Sequence, residues 1–269
     1  TQHDTAGGLQ QSAASDTEEA KHNATVQLPD AALPTQAPTV GIPAPTFEFK
    51  PPSAELGDLE AQWEIPDAPP CVSYVPDFLT REQSTALLQC VYHAANEAKW
   101  VQLNGRRLQN WGGLPQAGGG LADPEPLPPW LAALCDGLVT QGVFAPEHRP
   151  NHVLINEYAP GEGIMPHTDG PLYTPQVATI SLGDPAYFQL TPRRGTAGPA
   201  SAAVPVVGVG VSGGATAAGQ PPSTLVVLQG SLVVFREEAY SHWEHSVLGT
   251  EEVHISEHTA NVVQLGDGM

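Results

Sequence analysis

Basic residues are scarce in this chain. Ten Lys and Arg stand against 29 Asp and Glu among 269 residues, a formal charge of -19. A protein held to nucleic acid mainly by neutralising phosphates needs the opposite balance. A histone-like or polybasic membrane-surface role is excluded. Cysteine is rare as well: Cys71, Cys90 and Cys135 are far apart and form no C-x-x-C pair. They read as free buried thiols of a reducing compartment. No apolar run approaches the roughly 18 residues of a membrane span. The chain opens on Thr1, as a processed form or a fragment would, and no basic segment with an apolar core marks a secretory signal. The expectation is a soluble intracellular protein, cytoplasmic or nuclear, with no membrane partner and acting as a monomer. Aromatics make up only 6%, but all five Trp lie beyond residue 60, where core-building material is therefore concentrated.

Pro and Gly, 28 and 27 residues, are abundant, and charged residues are only 14%. That mixture suggests a globular domain interrupted by low-complexity segments. Residues 1–57 are rich in Ala, Thr, Pro and Gln, with only Phe47 and Phe49 as aromatics. Such a stretch buries too little apolar surface to offset its ordering entropy. It is expected to be a disordered acidic tail, followed by one domain over 58–269. A second low-complexity stretch, 194–223, reads as a flexible loop inserted between two strands.

CVSYVPDF (71–78) reads as a short strand running into a turn. Thr80-Arg81-Glu82-Gln83 then has the form of a capping box, and apolar residues at helical spacing predict a helix over 81–97. Pro128-Pro129 opens a second helix, with Trp130, Leu131, Leu134 and Leu138 on one face. From His152 onward HVLINEY, QVATISL, AYFQL, TLVVLQ and SLVVF are short, β-rich and separated by turn signals. Helices first and many strands after argue an α+β fold whose strand-rich part is a sandwich or jelly roll.

The sharpest chemical feature is NEYAPGEGIMPHTDGP (156–171). On an extended chain His167 and Asp169 point to one face and can address one metal. Two histidines plus one carboxylate make the facial set of non-haem Fe(II). The third ligand would come from His242, His245, His254 or His258. An H-x-D alone is a weak signal, but here it follows a strand ending in Asn156 and Tyr158 and precedes several hydrophobic strands.

These blocks resemble the AlkB-like Fe(II)/2-oxoglutarate dioxygenases, most closely their sixth eukaryotic homologue group. The resemblance is carried by YVPDFLTREQ (74–83), KWVQLNGRRLQNWGGLP (99–115), LPPWL (127–131), NHVLINEYAPGEGIMPHTDGPLY (151–173), ATISLG (178–183) and SLVVFREEAYSHWEH (231–245). It implies a double-stranded β-helix (jelly roll) with buttressing N-terminal helices. It also implies Fe(II), 2-oxoglutarate as co-substrate, O2, and oxidative demethylation of alkylated DNA or RNA or another methylated substrate. Residue by residue, it makes His167, Asp169 and His245 the iron ligands, with His242 as fallback, and Asn156 and Tyr158 the 2-oxoglutarate contacts.

One departure bears on activity. The family follows its distal histidine with a strand of R-x-S-x-T-x-R type, whose arginines grip 2-oxoglutarate; here no Lys or Arg follows Arg236. The chain is therefore expected to bind iron but to hold 2-oxoglutarate poorly. A catalytically weak interaction module is the alternative to an enzyme, and a Zn(II) hydrolase or isomerase of cupin type is a third reading.

The substrate question turns on Lys99, Trp100, Arg106, Arg107 and Trp111. They hold three of the eight bases in residues 71–269, interleaved with aromatics. That pattern suits phosphate contact plus base stacking, and the resemblance makes the segment a substrate-side lid. The alternative is a β-hairpin turning at Asn104-Gly105 with core tryptophans.

Overall fold

The computed structural model describes residues 44–52, 56, 58–117, 120–193 and 220–266. In chain order, helix α1 (Leu59–Trp63) leads into strand β1 (Val72–Val75) and helix α2 (Arg81–Val91). A hairpin of β2 (Val101–Leu103) and β3 (Arg106–Trp111) follows, then the short pair β4 (Leu114–Pro115) and β5 (Leu121–Ala122), and helix α3 (Pro129–Thr140). Next come β6 (Val153–Glu157), β7 (Ile164–His167), β8 (Gln176–Ile180), β9 (Ala186–Pro192), β10 (Ser223–Val227) and β11 (Leu232–Arg236). Helix α4 (Glu237–His242), β12 (Trp243–Val247) and α5 (Val262–Leu265) complete the described order. Helices and antiparallel strands occupy the chain as an α+β protein requires.

Two antiparallel sheets face each other, one ordered β1-β11-β8 and the other β10-β9-β12-β7. Strand β11 shows why they stack. Successive side chains of a strand point to opposite faces. Val233 and Phe235 pack with Phe188 and Leu190 of β9 and Leu225 and Val227 of β10. Leu232 and Val234 point the other way, into a cluster with Leu87 of α2 and Leu131 and Leu138 of α3. β11 is thus a central strand with a helical layer on one side and the second sheet on the other. A third sheet, β2-β3-β6, sends Val153 and Ile155 into that same helical cluster.

The helix ends follow local chemistry. Thr80 and Gln83 close a reciprocal capping box at the start of α2, and α3 starts with Pro129 in its first turn. Helix α2 stops at Val91, short of the expected 97. His93 takes an extended backbone (φ -60°, ψ 138°), and its ring accepts from the Ala95 N–H to cap a separate 3₁₀ turn, Ala94–Lys99.

Packing also begins earlier than composition suggests. Phe47 and Leu56 are buried, and Phe49 lies 5.6 Å from Phe78. A Cβ on Gly137 of α3 would come within 2.5 Å of the Phe49 ring, so this helix carries glycine where the ring lies against it. The acidic tail before residue 44 and the insert over 194–219 lie outside the described residues.

Both ends of the four-stranded sheet have distinctive chemistry. β7 includes Pro166. At the other end, the Ala260 N–H bonds Thr224 O on β10, and buried Asn261 bonds both the N–H and the C=O of Val226. Residues 248–266, where the resemblance leads one to expect an arginine-bearing strand, form no strand.

Candidate metal centre and its surroundings

The register of β7 on β12 places His167 directly opposite His245. Their rings lie 4.3 Å apart between centroids. Asp169 sits two residues past the end of β7, and its Oδ1 is 3.8 Å from His245 Nε2. Donor atoms of His167, Asp169 and His245 all fall within 4.8 Å of one another. Of the four candidate third histidines, only His245 joins them. His242 is exposed on α4 with its Nδ1 beside Ser241 Oγ. His254 and His258 are exposed beside Glu252 and Glu257.

Since Asp169 has left the ladder, something else must hold it. Gly170 supplies a left-handed turn at φ +79°, which costs glycine little. Buried Tyr240 of α4 then donates its hydroxyl to Gly170 O at 2.6 Å. The resemblance block includes Tyr240, yet no spacing signal marked this role.

The electrostatics suit a cation. Burial, with His167 opposite, pushes His245 down to about 3, so its imidazole stays neutral with a lone pair to offer. Burial pushes the Asp169 carboxyl up, partly offset by His167. Both shifts come chiefly from burial, which disfavours the charged form of each group. His167 Nδ1 lies 3.0 Å from Met165 O. That contact needs the proton on Nδ1 and leaves the Nε2 lone pair available. Phe235 and Phe188 lie 4.9 and 5.9 Å from the His245 ring and form an apolar wall behind it.

Asn156 is exposed at the end of β6 and Tyr158 follows, half-buried. Burial raises the Tyr158 hydroxyl pKa, with the Arg106 charge acting against it. The hairpin segment divides by strand alternation. Arg107 pairs in register with Glu157, while its neighbour Leu108 pairs with Asn156. Arg107 forks onto Glu157, lies 4.3 Å over Trp100, and shares Glu157 with the Tyr92 hydroxyl. Lys99 pairs with Glu125 and lies over Trp111. Trp111 is 6% exposed and meets Trp130 edge-on. Arg106 alone of the five turns to the Asn156 face, where its Nε donates to Asn156 Oδ1 at 3.1 Å. His152 and Tyr173, tilted against each other with ring centroids 5.6 Å apart, are further aromatic neighbours that sequence reasoning did not single out.

The profile of the 2OG-Fe(II) oxygenase superfamily matches residues 72–262. The chain is similar to the Probable RNA/DNA demethylase ALKBH6 of Danio rerio, 40% identical over 209 residues, 78% of this chain and 82% of that one. It is also similar to the tRNA (carboxymethyluridine(34)-5-O)-methyltransferase alkbh8 of Xenopus tropicalis, 28% identical across 44% of this chain and 19% of that protein. Among solved structures, OsALKBH1 aligns with a TM-score of 0.46 at 13% identity, covering 66% of this chain and 85% of the other.

Proposed function

We propose, for a chain that belongs to the 2OG-Fe(II) oxygenase superfamily and is an Fe(II)- and 2-oxoglutarate-dependent dioxygenase, that it removes alkyl groups oxidatively from DNA or RNA. The observation that carries this reading is the gathering of His167, Asp169 and His245 within 4.8 Å, in a chain 40% identical to a relative named for RNA/DNA demethylation. The family match over residues 72–262 favours the enzyme over an inert interaction module.

Members of this family use Fe(II), 2-oxoglutarate and O2. Two imidazoles and one carboxylate fit Fe(II), because that set leaves the other positions open. His167, Asp169 and His245 would hold it. When bound, the iron supplies O2 chemistry coupled to decarboxylation of the co-substrate. The chain supplies geometry. The cross-strand pair sets the two imidazoles, Tyr240 secures the loop of Asp169, and Phe188 and Phe235 exclude water behind His245. Asn156 and Tyr158 are read as neutral hydrogen-bond donors to co-substrate carboxylate. The two facing sheets are read as a double-stranded β-helix.

With a balance of -10 over residues 71–269, few phosphate contacts are available, so the substrate would be gripped chiefly through a base. Trp100 and Arg107 form a half-exposed stacked pair that could contribute at the rim. A monomer working in the cytoplasm or nucleus fits this reading; among the described residues no helix is long and apolar enough to cross a membrane.

The test is an anaerobic titration with Fe(II) and 2-oxoglutarate, followed by the metal-to-ligand charge-transfer band. Aerobic turnover on N-methylated oligonucleotides should then yield succinate and formaldehyde together. Succinate without formaldehyde on every methylated oligonucleotide would reject the nucleic-acid substrate while keeping the dioxygenase.

A further inference from the structure

The structure raises a specific chemical question. A dicarboxylate held by its keto-acid end at the metal leaves its far carboxylate in need of a cation. Residues 237–266 contain no Lys or Arg. The lid segment holds three cations, and two are already committed: Lys99 to Glu125 and Arg107 to Glu157. Arg106 pairs with no carboxylate among the described residues. It donates to a neutral acceptor, Asn156 Oδ1.

We propose that Arg106 is the cation that binds the far carboxylate of the keto-acid co-substrate, with Asn156 and Tyr158 as its neutral companions. The inference rests on the dioxygenase reading above and deepens it. The geometry comes from register. Arg107 faces Glu157, so one rung further along the same ladder Arg106 comes level with Tyr158. Its charge is felt at the Tyr158 hydroxyl. The hairpin tip also lies against the root of the strand that carries His167, since a Cβ on Gly105 would sit 2.9 Å from Gly163 O.

The donor inventory supports an anion. With Oδ1 accepting from Arg106, the Asn156 NH2 makes no hydrogen bond among the described residues. The Tyr158 hydroxyl makes no hydrogen bond within the described residues and is free to donate. The remaining guanidinium N–H groups complete a set that is all donors with one positive charge, which matches a single carboxylate. Leu108 and Leu154, on the same face as Asn156 and Asn110, flank it with apolar surface.

The experiment uses the full chain loaded with Mn(II), which binds keto acids without turnover, in isothermal titration calorimetry. Two ligands are compared: 2-oxoglutarate, and 2-oxobutyrate, which lacks the far carboxylate. Arg106→Ala and Arg106→Gln should bind 2-oxoglutarate about thirtyfold more weakly, a change of about 2 kcal/mol at ~1.4 kcal/mol per tenfold. Arg106→Lys should fall between, keeping charge but not the planar fork. All three should bind 2-oxobutyrate and Mn(II) as the wild type does, with unchanged thermal midpoints. Undiminished 2-oxoglutarate affinity in Arg106→Ala would overturn the proposal. An equal loss on both keto acids would overturn it too, because Arg106 would then act through the fold or the metal. If only oligonucleotide affinity changes, Arg106 is a substrate contact and the proposal fails. A wild type that holds Mn(II) but binds neither keto acid would instead remove the dioxygenase reading and this proposal with it.

Discussion

Truncating Trp111 distinguishes a core ring from a substrate contact. The ring is 6% exposed, packs edge-on to Trp130 at 5.8 Å, and donates its Nε1–H to Gln109 Oε1 at 3.0 Å. Gln109 is itself fully buried and donates to Val91 O at 3.1 Å, tying β3 to the end of α2. Trp111→Ala removes a large buried side chain, which costs about 3–5 kcal/mol. It also strands the Gln109 carbonyl. Trp111→Phe keeps most of the ring and isolates the second effect, an unsatisfied buried acceptor worth about 1–3 kcal/mol. Urea unfolding followed by far-UV circular dichroism should show losses of about 4 and 2 kcal/mol, with unchanged m values. Oligonucleotide affinity of the folded Trp111→Phe protein should equal that of the wild type. A Trp111→Ala variant losing under ~1 kcal/mol, or a Trp111→Phe variant that folds normally but binds oligonucleotide poorly, would refute this account and return the ring to the substrate.

Three further outcomes are expected. Anaerobic Fe(II) titration should show stoichiometric binding lost in His167→Ala, Asp169→Ala and His245→Ala and kept in His242→Ala, His254→Ala and His258→Ala; loss in His242→Ala with retention in His245→Ala would redraw the centre. The Arg107 guanidinium beside Glu157 holds that carboxyl below its usual range. A depressed folded-state pKa gives stability that is present above the unfolded-state value and lost as pH falls through the folded-state one. Glu157→Gln should therefore be less stable than wild type at neutral pH, by under ~1 kcal/mol for this half-exposed pair. The gap should close on acidification; a gap that widens toward acid would contradict the pairing. Asn261→Ala leaves both polar groups of buried Val226 without their partner and should cost about 3 kcal/mol in the same urea assay; a neutral result would mean that water replaces the amide.

The parts of the fold legible in the sequence were those set by short-range chemistry. The β-branched runs over 152–235 lie where β6, β8, β9, β10 and β11 form, and Thr80 and Pro129 mark their helix starts. The end of α2 was not legible, because Ala94 to Lys99 keeps good helical propensity and the stop comes from the backbone of His93. Phe47 and Leu56 were hidden by a composition that averages them with polar neighbours. The H-x-D pair was visible, but its supposed common strand face was not the means used. Asp169 lies beyond the ladder, placed by the turn at Gly170 and the hydroxyl of Tyr240 on a distant helix. Spacing left four histidines open, and the resemblance pointed to His245; opposition across the β7–β12 ladder, a tertiary fact, is what brings it to His167. In the β2–β3 hairpin, composition grouped Arg106 with Arg107, whereas strand alternation sends them to opposite faces.

The two ends of the four-stranded sheet bear on self-assembly. A bare edge strand offers a row of unpaired N–H and C=O groups to any second copy that collides with it. On β7 the edge is interrupted by Pro166, which has no N–H to give. On β10 the chain's own Ala260 and Asn261 occupy Thr224 and Val226. One end is blunted by a missing donor and the other by an intramolecular plug. The strand that carries His167 is therefore shielded from intermolecular pairing by a residue beside the histidine itself. Replacing Pro166 with valine while removing the Asn261 amide would open both ends together and should promote association strand upon strand.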